Sequence, residues 1–152
     1  MRHLTVVLAV ILLGMFAAAG CATRATLVRG VAPLNLNAEG ESTPVDVRIY
    51  MLSDDDAFSR AGYAALWTEP ARVLSGDLLG TPMTVTILPG SPGDPPRRIE
   101  LDGNVGQAAW VGLQLLVRHE GELPRTLLVP IARFDDAIIE ASGYGLRLVT
   151  KR

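Results

Sequence analysis

A chain of 152 residues, 49% of them hydrophobic, is long enough for one domain with a real core. Its 14 Lys and Arg against 16 Asp and Glu leave a formal charge of −2, which excludes the basic surface that a nucleic-acid partner demands. A single cysteine, Cys21, excludes an intrachain disulfide.

Residues 1–20 read MRHLTVVLAVILLGMFAAAG: a short positive start at Arg2 and His3, an apolar run, and a small-residue tail. That is the layout of a secretory signal peptide. The Ala19-Gly20-Cys21 sequence at its end resembles the bacterial lipobox, whose cysteine is acylated and becomes the mature N-terminus. Ala18 stands where that signal usually has Leu. Ala22, where an Asp would argue for inner-membrane retention, resembles lipoproteins sorted to the outer membrane. An uncleaved anchor and ordinary cleavage near residues 17–19 are the alternatives. On the lipobox reading the chain divides into a signal peptide over 1–20, a lipidated N-terminus with the first strand over 21–32, and the rest of one domain over 33–152.

Residues 22–31 are expected to form a short strand ending before Pro33. Residues 33–43 (PLNLNAEGEST) have no sustained period and are rich in turn formers, so a loop is expected there. Leu34 and Leu36 either tuck beneath that loop or stand out toward a partner. In the stretch VDVRIYML, Val45, Val47, Ile49 and Met51 alternate with Asp46, Arg48 and Tyr50, the pattern of a half-buried strand. The period then changes. Phe58, Ala61, Gly62, Ala65 and Leu66 recur at helical spacing, which predicts a helix over 55–67. Ser53 and Asp54–Asp56 are placed to cap its start. Pro70 suits the first turn of a second short helix over 71–79, whose regularity Gly76 lowers. The helical insertion therefore spans about 54–79, with Trp67 expected to wedge between it and the sheet.

After Gly80 the pattern returns to strands. Residues 83–88 alternate, with Val85 and Ile87 inward, and residues 89–96 (PGSPGDPP) must be a loop. Residues 97–101 place Ile99 and Leu101 inward, and residues 102–104 are a turn signal. Ala109, Val111, Leu113, Leu115 and Val117 predict the longest, central strand. Trp110, on its opposite face, either packs under the helices or forms an exposed binding face. Residues 119–124 read as a hairpin loop. Leu127, Val129 and Ile131 mark the next strand, which Pro130 confines to an edge or a bulge. Residues 137–140, a Ser142-Gly143 turn and residues 145–149 complete the chain. Several short strands with regular turn signals argue for a mainly β protein, a two-sheet β-sandwich.

Catalytic chemistry finds little support. His119 stands beside Glu120 in a loop without a matched nucleophile. Asp54–Asp56 are consecutive, whereas calcium loops space their ligands alternately around a Gly turn. No phosphate-binding glycine loop, no metal-ligand set and no cofactor motif is present, so a non-enzymatic protein is expected, with no small-molecule substrate and no cofactor beyond the covalent lipid on Cys21.

The order and spacing of VRIYML, Ala57-Phe58, A-x-Y-x-x-L over 61–66, Trp67, L-x-G-D-L-L over 74–79 and Leu88-Pro89-Gly90, with Leu34-Asn35 and the lipobox upstream, resemble the TssJ (SciN) family of type VI secretion lipoproteins. Met51 stands where the family often has Gln, Tyr63 where it often has Phe, and a late Trp-Arg pair is missing from residues 120–130. The resemblance implies a transthyretin-like sandwich with extra helices, held in the outer membrane on its periplasmic face. It implies binding to the periplasmic C-terminal domain of the inner-membrane protein TssM, and through it an indirect link to TssL. In the family the loop between the first two strands contributes to that contact. Here Leu34, Asn35, Leu36, Asn37, Ala38, Glu39 and Gly40 are the corresponding candidates. The competing expectation is a lipidated periplasmic ligand-binding module, with a cavity lined by Tyr63, Trp67 and Trp110.

Overall fold

The computed structural model describes residues 24–101 and 105–151. The expected signal peptide, Cys21 and the expected turn at 102–104 lie outside the described residues. Among the described residues, eight strands form two four-stranded sheets packed face to face, one ordered β4-β1-β7-β8 and the other β3-β2-β5-β6. The strands are β1 (Arg24–Leu34), β2 (Val45–Leu52), β3 (Met83–Ile87), β4 (Arg97–Leu101), β5 (Trp110–Leu115), β6 (Thr126–Pro130), β7 (Ala137–Gly143) and β8 (Gly145–Thr150). Only β1 and β7 pair in parallel; the other neighbours are antiparallel. Alternation places one face of each sheet in a shared core that includes Ile49, Leu113, Leu115, Ile139 and Leu146. Each such fully buried aliphatic side chain contributes roughly 1.5–3 kcal/mol.

Several expectations need correction. β1 does not stop before Pro33 but runs to Leu34, with a register shift between Val31 and Leu34. A bulge leaves room for a proline, which has no N–H to offer the ladder. The longest strand is β1, with 11 residues, not β5, with 6, although β5 is interior to its sheet. β6 is an edge strand and ends at Pro130, as that proline requires. A short helix follows it directly, Ile131–Phe134, and buries Phe134.

The helical insertion is present after β2 but broken into three pieces: α1 (Asp56–Arg60), α2 (Tyr63–Thr68) and α3 (Pro70–Val73); Ile131–Phe134 is then α4. The expected continuous helix over 55–67 breaks because Ala61 and Gly62 are extended, with ψ of 135° and 145°. Gly62 has no side chain to pack and weakens a helix interior. The expected caps are not made: Asp55 is the N-cap residue but accepts no capping hydrogen bond. Asp54 instead accepts from the Asp55 N–H at 2.6 Å. The helix expected over 71–79 is α3, only four residues long, and Gly76, at φ 94°, turns the chain back toward β2. The Leu79 N–H donates to the Met51 carbonyl and closes the insertion.

The insertion changes the status of β2. Its outward face is not half-exposed beyond Arg48, because Tyr50 and Leu52 are fully buried with Phe58, Leu66 and Leu74 in a second apolar cluster. Trp110 packs against that cluster from β5.

Candidate functional site

β1 fixes the geometry that matters. Arg24, its first residue, lies three residues after Cys21 and pairs with Leu101, while Leu34, its last, pairs with Gly143. At about 3.3 Å per residue, ten steps along the strand separate these ends by about 33 Å. The N-terminal end of β1 is shared by α4 and the end of β8: an Arg24 guanidinium N–H donates to the Ile131 carbonyl at 2.8 Å. The opposite pole gathers the loops 35–44, 88–96 and 116–125 with the turn at 143–144.

Loop 35–44 is held by its own polar side chains. Asn35 takes a left-handed conformation, φ 45°, which asparagine tolerates better than most residues. Its N–H donates to Gly143 O at 2.8 Å, and its Nδ2 donates to Thr43 Oγ1 at 2.8 Å and to the Pro44 carbonyl at 3.1 Å. Asn37 Oδ1 accepts from the N–H groups of Glu39 and Glu41 at 3.1 and 2.8 Å. The Gly40 N–H donates back to Asn37 O at 3.1 Å. Asn residues form such turns because their side chains imitate a backbone acceptor. The result is a preorganised loop whose exposed tip is Ala38, Glu39, Gly40 and Glu41.

Of the candidate contacts, the structure brings residues 35–40 onto this loop and removes one from its surface. Leu34 is fully buried in the main core, so its side chain faces away from any partner. The bulge at the end of β1 turns it inward. Leu36 is half-buried and bridges to Ser42.

Sequence reasoning passed over the neighbouring loop, 88–96. The Ala32 N–H donates to Gly90 O at 2.9 Å, and an Arg29 guanidinium N–H donates to Pro92 O at 3.2 Å. A cleft of about 230 Å³ lies between β1 and this loop, lined by Val28, Arg29, Gly30, Leu88, Pro89 and Arg97. The density of prolines announced a loop but not its place beside the first one.

Tyr63, Trp67 and Trp110 stand in three separate settings. The Tyr63 hydroxyl donates to Leu115 O at 2.7 Å and accepts from the Val117 N–H at 3.1 Å, and the Arg125 guanidinium covers its ring. Trp67 does not wedge into the sheet; it is half-buried, with the Arg48 guanidinium 3.8 Å above its ring centroid. Trp110 belongs to the cluster beneath the helices. His119 packs edge-on against Tyr144 with centroids 5.6 Å apart. Among the described residues, no group of three or more His, Cys, Asp or Glu side chains is placed to hold a metal ion.

The model of the T6SS-SciN family, described as type VI secretion lipoprotein (VasD, EvfM, TssJ), matches residues 24–113, more than half of the chain. None of the curated protein sequences compared matches it. Among solved structures, Serratia marcescens Lip, a membrane-bound component of the type VI secretion system, superposes with a TM-score of 0.70 at 17% identity, over 84% of this chain and 97% of that one. The lipoprotein TssJ1 of Pseudomonas aeruginosa gives 0.68 at 23% identity, over 86% and 96%. A structure described as the C-terminal domain of the T6SS protein TssM from EAEC gives 0.68 at 23% identity, over 85% and 98%. At these identities the likenesses show a shared fold.

Proposed function

The chain belongs to the TssJ (SciN) family of type VI secretion lipoproteins, and from that premise we propose that it ties the secretion apparatus to the outer membrane. Acyl chains on Cys21 hold one end in the periplasmic leaflet. Each buried CH₂ contributes about 0.8 kcal/mol, so several chains anchor firmly where one does not. The loop pole binds the periplasmic C-terminal domain of TssM, and through it the assembly reaches TssL in the inner membrane. The observation that carries this reading is the path of β1, which leads from the residues after Cys21 at one pole to loop 35–44 at the other. A strand with neighbours on both sides is a stiff connection between an anchor and a docking surface. A solved structure whose description names the TssM C-terminal domain contains a chain of this fold, and that supports the choice of partner.

The two ends of the tether separate in one experiment. Cells expressing wild type, Cys21→Ser, or a variant with residues 36–39 replaced by a Gly-Ser linker are fractionated, and detergent extracts are passed over an immobilised TssM-like periplasmic domain from the same genome. Wild type is expected in the outer-membrane fraction and on the column. Cys21→Ser should leave the membrane yet still be captured. The loop variant should stay in the membrane and lose capture. Membrane retention of Cys21→Ser would refute the lipid site, and full capture of the loop variant would refute the docking loop.

A further inference from the structure

Loop 35–44 lacks what a protein interface needs at its centre. Stable interfaces have an apolar core ringed by polar groups, and a few large anchors carry most of the binding energy. Here Leu34 is in the core, Leu36 is half-buried, and the exposed tip is Ala38, Glu39, Gly40 and Glu41. That composition makes a rim.

The anchor stands next to it. Among the described residues three large hydrophobic side chains are exposed: Leu88 at 65%, Leu148 at 40% and Leu116 at 36%. Leu88 is the most exposed and follows β3 at the loop pole. One step beyond the Val45↔Ile87 pair, it lies opposite Pro44, the last residue of loop 35–44. The Ala32 N–H to Gly90 O bond lays the segment after Leu88 along the bulge that leads into the same loop. Ala32, Pro33 and Pro44 are exposed as well. Leu88 thus sits beside both stems of the loop, among small apolar neighbours.

It is also held in place. A Cβ added at Gly30 would lie 2.3 Å from the Leu88 carbonyl oxygen, so β1 meets this segment backbone to backbone. Asp94 Oδ2 accepts from the Ser91 N–H at 2.7 Å, and Arg97 Nη2 donates to Thr86 O at 2.8 Å. Pro89, Pro92, Pro95 and Pro96 fix φ along the loop. A leucine presented on a preorganised segment loses little further freedom on docking.

We propose that Leu88 is the apolar anchor of the docking surface. It seats in an apolar pocket on a folded partner protein, and Glu39 and Glu41 face basic side chains around that pocket. The inference rests on the reading above, in which this partner is the periplasmic TssM domain. Isothermal titration of that domain into the full-length protein in detergent tests it, with wild type, Leu88→Asp, Leu88→Ser and Leu88→Met. Because Leu88 is exposed, none of the three should shift the melting midpoint. Leu88→Asp should weaken binding about 30-fold or more, and Leu88→Met should stay within about threefold of wild type. Leu88→Ser, which adds no charge, should weaken it about tenfold and so separates a lost apolar contact from repulsion. Wild-type affinity in Leu88→Asp and Leu88→Ser, beside a binding wild type, overturns the anchor and leaves the docking loop standing. Failure of the wild type to bind overturns both.

Discussion

The outer faces of the two sheets handle polar groups in opposite ways. On β3-β2-β5-β6 the outer face lies under the helical insertion, which buries Tyr50, Leu52, Phe58, Leu66 and Leu74 together. On β4-β1-β7-β8 the centre of the outer face is a ladder of charge, Arg29–Glu140–Arg147, across three neighbouring strands. Yet Glu140 is 1% exposed and Tyr50 is 0% exposed. One is hidden by a lid made of chain, the other by the long stems of two arginines, which keep their charged ends in contact with water. A lid must satisfy every polar group beneath it internally, because water cannot reach them. A cover of side chains leaves part of that task to solvent.

The lid is the place to break this comparison hardest. The Phe58 ring from α1 packs edge-on against Tyr50, with centroids 5.6 Å apart. It also fills the space over Gly112, where an added Cβ would lie 2.5 Å from the ring. Phe58→Ala would open a cavity between lid and sheet and should cost about 3 kcal/mol, read as a lowered urea midpoint. A loss below about 1 kcal/mol would mean that the insertion merely rests on the sheet and that the two outer faces differ less than their burial suggests.

Beneath the lid, Tyr50 sharpens the comparison. Its hydroxyl lies 2.6 Å from Gln114 Oε1 and 2.9 Å from Leu66 O, and Gln114 Nε2 donates to Tyr63 O at 2.6 Å. Strand β2, strand β5 and helix α2 are thereby joined through one buried polar chain. Tyr50→Phe removes the single O–H donor that faces these two acceptors, at a cost of about 2 kcal/mol. Burial pushes the phenol up to about 12, against the opposing charge of Arg48. The folded state therefore favours the protonated phenol. That contribution is complete below about pH 10, the ordinary phenol value, and is lost as pH rises toward 12. The stability gap between wild type and Tyr50→Phe should be full at pH 7 and narrower at pH 11. A gap unchanged at pH 11 would mean that the hydroxyl is reached by water and the lid is not closed.

Much of this was legible from local pattern, and the rest depended on distant partners. The alternation of Val45, Val47, Ile49 and Met51 placed β2 and its inward face correctly. Tyr50 looked like a solvent-facing residue, because what covers it arrives only after three helical pieces and the return of Leu79 to Met51. The break at Ala61–Gly62 defeats the helical period that Phe58 and Leu66 otherwise satisfy. Pro and Asn marked loop 35–44, but the bulge at residues 32–33 turned Leu34 into the core, and no local period records such a shift. The prolines of 88–96 showed a loop, while its seat against Gly30 needed two strands to meet. Glu140 gave no signal at all: an acidic residue in an alternating strand reads as solvated, and its partner Arg29 is 111 residues away.

Glu140 supplies the smallest and most diagnostic effect. Its Oε2 accepts from Arg29 Nε at 2.7 Å and its Oε1 from Arg147 Nε at 2.6 Å. Burial alone would raise the carboxyl, but the hydrogen bonds and charges of Arg147 and Arg29 outweigh it and hold Glu140 below the usual carboxylate range. A depressed value means that folding favours the ionised form. Its stabilisation is present above about pH 4.3, the ordinary glutamate value, and fades as pH falls through the lower folded value. Glu140→Gln keeps the shape and removes the charge. Because the Arg147 side chain is 56% exposed, against 21% for Arg29, water screens that half of the ladder and the cost at pH 7 should be only about 1 kcal/mol. The two proteins should converge in urea stability as pH is lowered below 4, where the wild-type carboxyl also becomes neutral. A cost well above 3 kcal/mol, unchanged by acid, would show that Glu140 is buried in the same sense as Tyr50, and that the arginine stems seal this face as completely as the helices seal the other.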